Sequence, residues 1–364
     1  MSDLQVLLAA VGGLVVAGFV AHGAWTSRKA RPQTLQGTAP LGGRQEPQLE
    51  PGQGTGPEGG PTDSEFAGLP QPDLPTVVRK AWSGIDPLID AVAVVELDEP
   101  VSGDFLIAHL PPTRRIGSKP MLVEARSSAD EAFAAPMPGG RYTQVQAAIQ
   151  LVNRQGPLNE IEFSEFVAKT NALADALAQQ PGAAAVDLPD MLDVVARARE
   201  LDAFASQHDA QLALELRALG SAWSPGYVQQ QAAKLGFVPG AFAGRLVLPS
   251  PEPGAPGVVM LTFDPQAALA DDPNQAALRR LTLALDVPQH PADLGAGHGS
   301  PFDALRASVA GLCASLNAAA MDEQGNVVSA TALDGIAQGL AQLYAALAER
   351  DLDAGSPSAR RLFS

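Results

Sequence analysis

AQLALELRA, residues 210–218, is the stretch that decides the fold. Leu212, Leu214 and Leu216 occupy alternate positions, with Gln211, Ala213 and Glu215 between them. Side chains of a strand point alternately to its two faces, so this segment reads as a strand with one leucine face and one mixed face. Two later segments repeat the pattern. In GVVMLTFDP (257–265), Val259, Leu261 and Phe263 share one face and Val258, Met260 and Thr262 the other. In RRLTLALDV (279–287), Leu281, Leu283 and Leu285 oppose Thr282, Ala284 and Asp286. A sheet of such strands buries its leucine face under helices and leaves the second face open.

The flanking segments supply the helices. PGYVQQQAAKLG (225–236) starts with Pro225 and ends with Gly236, as helices commonly do. FVPGAFAGRLVLP (237–249) reads as one strand, FDALRASVAGLCASLNAAA (302–320) as a helix, and GNVVS (325–329) as a short strand. ATALDGIAQGLAQLYAALAERD (330–351) closes the series as a helix.

An earlier stretch has the same order. AVAVVEL (91–97), MLVEARS (121–127) and YTQVQAAIQLV (142–152) read as strands, with SGDFLIAHL (102–110) as a short helix after the first. IEFSEFVAKTNALADALAQQ (161–180) is a helix, AAAVDL (183–188) a short strand, and LPDMLDVVARARELDAFAS (188–206) a helix with Pro189 in its first turn. AVAVVEL aligns with QLALEL, VQAAIQLV with RRLTLALDV, and the two long helices with their later counterparts. This correspondence predicts an internal duplication, at 84–206 and 207–350. The expected fold class is α+β, with two tandem domains, each a mostly antiparallel sheet with helices on one face. Residues 351–364 are expected as a flexible tail.

Before the first domain the texture differs. LQVLLAAVGGLVVAGFVAHGAW (4–25) has no formally charged residue when His22 is neutral, and about 1.5 Å per residue lets it cross a hydrocarbon core of roughly 30 Å. Only Asp3 carries charge before it, whereas Arg28, Lys29 and Arg31 follow at once. That asymmetry predicts a transmembrane helix with residues 1–3 outside and the bulk of the chain in the cytoplasm. Trp25 reads as an interfacial anchor beside the basic flank. Ala9, Gly13 and Ala17 are four apart and permit two spans to approach, so a homodimer is possible. From 26 to 83 a basic flank gives way to a segment rich in Pro, Gly and Gln without apolar period, expected to be a disordered linker. Its mean reach is on the order of 35–40 Å.

Composition narrows the partners. Net charge is −16, from 40 acidic against 24 basic residues, which argues against nucleic acid and against broad docking on anionic lipid. It is compatible with a basic or apolar peptide. The single cysteine, Cys313, leaves no internal disulfide and sits in an apolar-periodic run without a His or Lys to activate it. The histidines at 22, 109, 208, 290 and 298 have no metal-ligand spacing, GAGHGS (295–300) lacks the residues of a phosphate loop, and no nucleophile motif is present. No catalytic residue, metal or cofactor is therefore expected.

The two ends of the chain together resemble the ZipA family of bacterial cell-division proteins. At the N-terminus the resemblance rests on His22-Gly23-Ala24-Trp25, the basic run Arg28, Lys29 and Arg31, and the Pro-rich linker. At the C-terminus it rests on KLGF (234–237), PGVVMLTFDP (256–265), LALDVPQ (283–289) and DEQGNVVS (322–329). Residues 84–206 match only as the weaker repeat, and one such domain is the usual number. The resemblance implies a single-pass inner-membrane protein, not an enzyme. Its open sheet face would hold the C-terminal peptide of FtsZ, the tubulin-like protein of the division ring. Carried onto the matching strands, the implied face is Ala213, Met260, Thr262, Thr282 and Ala284, with Phe242 as the remaining large apolar candidate. The chain departs from the family where large apolar residues are replaced by Gln211, Asp264 and Ala284. A membrane-anchored scaffold that has lost the FtsZ groove and binds another division or envelope protein is the alternative.

Overall fold

The β-branched run at 91–97 starts the first strand, β1 (Asp90–Ser102), in a computed structural model that describes residues 84–127, 132–179, 184–269, 276–295, 297–322 and 325–364. The expected span at 4–25, its flank with Trp25, Arg28, Lys29 and Arg31, and the linker to residue 83 lie outside the described residues. Among the described residues no helix is long and apolar enough to cross a membrane.

After β1 come α1 (Gly103–His109), β2 (Arg115–Ile116), β3 (Lys119–Arg126), β4 (Arg141–Gln150) and the small hairpin of β5 (Val152–Asn153) and β6 (Gly156–Pro157). α2 (Glu160–Leu177), β7 (Ala184–Asp187) and α3 (Met191–His208) complete this half. The second half runs β8 (Gln211–Ala218), α4 (Pro225–Lys234), β9 (Val238–Pro239), β10 (Arg245–Leu248), β11 (Val259–Thr262), α5 (Pro265–Ala268) and β12 (Arg280–Asp286). It continues with α6 (Pro301–Leu316), β13 (Ala318–Met321), α7 (Ala330–Ala348) and α8 (Pro357–Leu362).

The fold is α+β, and the paired strands are antiparallel. One sheet has the order β2-β3-β4-β1-β7 and the other β13-β8-β12-β11-β10-β9. Read from the opposite edge, and setting aside β9, the second is β10-β11-β12-β8-β13, the same topology as the first. The registers agree as well. Asp90 pairs with Gln150 and Val95 with Val145, while Gln211 pairs with Asp286 and Leu216 with Leu281. The correspondence read from the sequence is thus a correspondence of structure.

Local signals explain the helix starts. α2 and α6, which occupy equivalent places, both begin with a capping box, Asn159 with Glu162 and Ser300 with Asp303. Asp190 caps α3, so Pro189 precedes the cap and does not lie in the first turn as expected. Pro225 begins α4, and Gly236 follows its C-cap at φ +90°, a conformation open to glycine. Each sheet packs its apolar face on its own helices. Val95, Val123, Val145 and Ile149 meet Phe166 and Leu173, whereas Leu214, Leu216, Leu261 and Leu283 meet Leu305 and Leu312.

Four further expectations are corrected. Residues 237–249 form the hairpin β9–β10, because the sharp turn at Gly240–Gly244 reverses the chain. The helix at 302–320 stops at Leu316, where Asn317 adopts φ 51°, and Ala318–Met321 becomes an edge strand on β8. GNVVS contributes only a bridge between Met321 and Val327. The fourth correction concerns residues 351–364, which do not form a flexible tail. Leu352, Ala359, Leu362 and Phe363 are buried in the core of the first sheet.

This C-terminal segment also joins the two halves. Arg361 forks onto Asp90 at 2.5 and 2.9 Å, and Ser358 hydrogen-bonds Asp86. On the other side Gln289 donates to the Phe363 carbonyl at 2.8 Å, and the Gly355 N–H donates to Pro288. Arg154, from the β5–β6 turn, bridges in the reverse direction. Its guanidinium grips Asp209 at 2.6 and 2.9 Å and Asp286 at 2.7 Å. In each sheet the carboxylate of the equivalent pair, Asp90 opposite Gln150 and Asp286 opposite Gln211, therefore receives an arginine from outside its own sheet.

Candidate functional site

Alternation along the second sheet sets which side chains leave the core. Ala213 pairs with Ala284, which pairs with Met260, which pairs with Val247, giving an unbroken apolar row across four strands. The next row is Glu215, Thr282, Thr262 and Arg245, and the one beyond begins with Arg217 opposite Arg280. These rows lie about 7 Å apart. Every member of the first row is half-exposed, while the leucines between them are buried. The sequence-derived residues Ala213, Met260, Thr262, Thr282 and Ala284 are thereby brought onto one face.

Phe242 is placed differently. It lies in the turn between β9 and β10 at the sheet edge, 67% exposed, with Arg245 stacked on its ring at 5.2 Å. Gly244 makes this turn: its φ is +74°, and a Cβ there would come within 2.6 Å of the Phe263 carbonyl oxygen. The ring thus borders the face through Arg245 without lying among the other five residues.

The same face of the first sheet is covered only in part: Glu124 and Ala148 are buried, while Val92, Val94 and Leu122 are half-exposed. Leu122, Glu124 and Ala148 stand where Met260, Thr262 and Ala284 stand in the second. The chain entering β1 lies against them. Gly84 packs beside Leu122 and donates its N–H to Glu124, and Ile85 next to it is buried. Ala148, paired with Leu122, is 0% exposed.

At one end of the open face lies a groove of about 1050 Å³, lined by Glu215, Thr262, Thr282, Asp264 and the four arginines 217, 245, 279 and 280. Sequence reasoning did not identify these arginines, because they are distant in the chain and only strand register gathers them. Net charge had pointed to a basic partner, yet the local field here is positive. At the opposite end Asp286 has its pKa raised by burial, with Arg154 opposing that shift and Asp209 adding to it. Burial works against the Arg154 cation, but Asp286 and Asp209 outweigh it and hold it charged.

Other reactive side chains are structurally occupied. The half-buried Cys313 thiol is pushed up in pKa by burial. His109 and His208 stack on Phe105 and Phe204 in the last turns of α1 and α3. His290 is buried between the halves, and burial, aided by Arg360, lowers its pKa to about 4. Among the described residues no group of His, Cys, Asp and Glu is arranged to hold a metal ion. Compared with known protein-family models and with curated proteins, the chain finds no match.

Proposed function

We propose that this protein is a membrane-anchored, non-catalytic tether whose second sheet captures a peptide on its open face, the FtsZ C-terminal peptide being the intended ligand. One observation carries the reading: two sheets sharing a five-strand order differ at matching positions, where Ala148 and Glu124 are buried beside the chain entering β1 while Ala284 and Thr262 are half-exposed. The row Ala213–Ala284–Met260–Val247 supports an extended or helical peptide laid across it. Its small side chains offer less burial than large ones would, each of which contributes about 1.5–3 kcal/mol, so the expected affinity is micromolar or weaker. The sequence at 4–25 with its basic flank supports one crossing of the inner membrane, and the linker at 26–83 would let the folded part search beneath it.

Titrating the full chain, held in lipid nanodiscs, with the C-terminal peptide of the same organism's FtsZ tests the reading. Saturable binding that Ala284→Asp abolishes is the expected result. Absence of binding at millimolar peptide would overturn it and favour the scaffold that binds a different division or envelope protein.

A further inference from the structure

We infer that the arginine end of the open face holds the carboxylates of an acidic segment, so that the bound peptide places acidic residues over Arg217, Arg245 and Arg280 and apolar residues over Ala213, Ala284 and Met260. This rests on the peptide-binding reading of the face and specifies the chemistry of its ligand.

The strand register supplies the first argument. Arg217 and Arg280 stand directly opposite each other on neighbouring antiparallel strands, where like charges repel. Glu215 pairs with Arg217, but the Arg280 guanidinium has no ion-pair or hydrogen-bond partner among the described residues. Arg245 lies one row away across Thr262 and Thr282 and also lines the groove. Among the described residues lining the groove, Arg217, Arg245, Arg279 and Arg280 face only two carboxylates, Glu215 and Asp264. Such a surplus of cations is unusual in a chain of net charge −16, and an incoming carboxylate would relieve it.

The equivalent positions of the first sheet supply the second argument. Glu96 and Gln144 stand there in place of Arg217 and Arg280, and they hydrogen-bond each other. Across that pair the side chains attract in the first sheet, whereas in the second two guanidinium groups of like charge face each other.

Geometry then orders the ligand. From Ala213 to Arg217 the strand advances four residues, about 14 Å, so carboxylates and apolar anchor are separated by about four residues of extended peptide. Polyanions such as nucleic acid and anionic lipid would meet the acidic remainder of the molecule, which disfavours them.

The probes are a fluorescein-labelled octapeptide of two aspartates, a two-residue spacer and Leu-Ala-Phe-Leu, and its asparagine-for-aspartate counterpart. Both are titrated onto the full chain in zwitterionic nanodiscs. The aspartate peptide is expected to bind about tenfold more tightly, with an affinity that falls as NaCl rises from 50 to 300 mM. Arg280→Glu and, separately, Arg245→Ala should erase the difference between the two peptides, with an unchanged melting temperature showing that the fold is kept. Equal binding of the two peptides to the wild type would overturn the carboxylate assignment and leave the peptide-binding face intact. Failure of both peptides and of the FtsZ peptide would overturn the face itself. Arg280-dependent binding to phosphatidylglycerol vesicles, with no preference between the peptides, would also overturn the inference by assigning the arginines to lipid.

Discussion

Ala148 and Ala284 occupy the same position in two sheets of the same topology, one fully buried and the other half-exposed. Beside Ala148, Gly84 of the chain entering β1 lies against Leu122 and Glu124 and partly covers the first sheet. Around that cover the side chains diverge in kind. The first sheet places Leu122 and Glu124 under the entering chain, with Glu124 accepting the Gly84 N–H. The second keeps Met260 and Thr262 beside a groove. The two sheets thus share a frame, each over its own core, while their second faces differ in burial at matching positions.

Matched substitutions break or sharpen this contrast. Ala148→Asp should destabilise the protein by about 4 kcal/mol in urea unfolding, because it puts an unpaired carboxylate under the entering chain. Ala284→Asp should cost less than about 1 kcal/mol and act on peptide binding instead. Equal losses at the two positions would mean that the second face is covered too.

The two bridging arginines form the next comparison. Arg361→Ala strands Asp90, which is almost fully buried and already raised in pKa by burial against the pull of Arg361. A loss of about 3 kcal/mol is expected. Arg154→Ala, whose partners are 26% and 30% exposed, should cost about 2 kcal/mol. If either variant separates unfolding into two transitions, that arginine couples the halves.

A smaller effect concerns pH. His290 has a folded pKa of about 4, below the ordinary 6.5, because burial and then Arg360 disfavour its cation. The neutral ring is favoured in the folded state, so this stability is full above pH 6.5 and is lost as pH falls towards 4. The difference in stability between wild type and His290→Gln should change by about 2–3 kcal/mol across that window, as read by urea melts at each pH. The smallest effect is at Phe242. Its replacement by Ala should shift stability by less than about 0.5 kcal/mol, since the ring is exposed, yet weaken peptide binding. Thr331→Ala on α7 should do neither.

Much of this was legible in the sequence, for reasons that differ by element. The leucine alternation of β8 and β12 and the Pro225 and Gly236 boundaries are local signals; the alternation puts Ala213, Met260, Thr262, Thr282 and Ala284 on one face, whereas Val258 is buried and Phe242 stands in the edge turn. Ala318–Ala320 misled because alanine has the highest helix propensity, whereas pairing with β8 after the left-handed Asn317 fixed it as a strand. The burial of Leu362 and Phe363 had no periodic signature, being set by a distant sheet. The arginine row was invisible for the same reason, since Arg217, Arg245 and Arg280 meet only through register. The cover on the first face is likewise a matter of where the chain enters β1.

Methyl NMR on methionine-labelled full chain in nanodiscs addresses the central claim most directly. Met260 lies on the open face of the second sheet and Met121 in the core of the first. On adding the FtsZ C-terminal peptide, the Met260 methyl resonance is predicted to shift and saturate while that of Met121 stays in place. A peptide that binds without moving Met260, or that leaves both resonances untouched at millimolar concentration, would contradict the account.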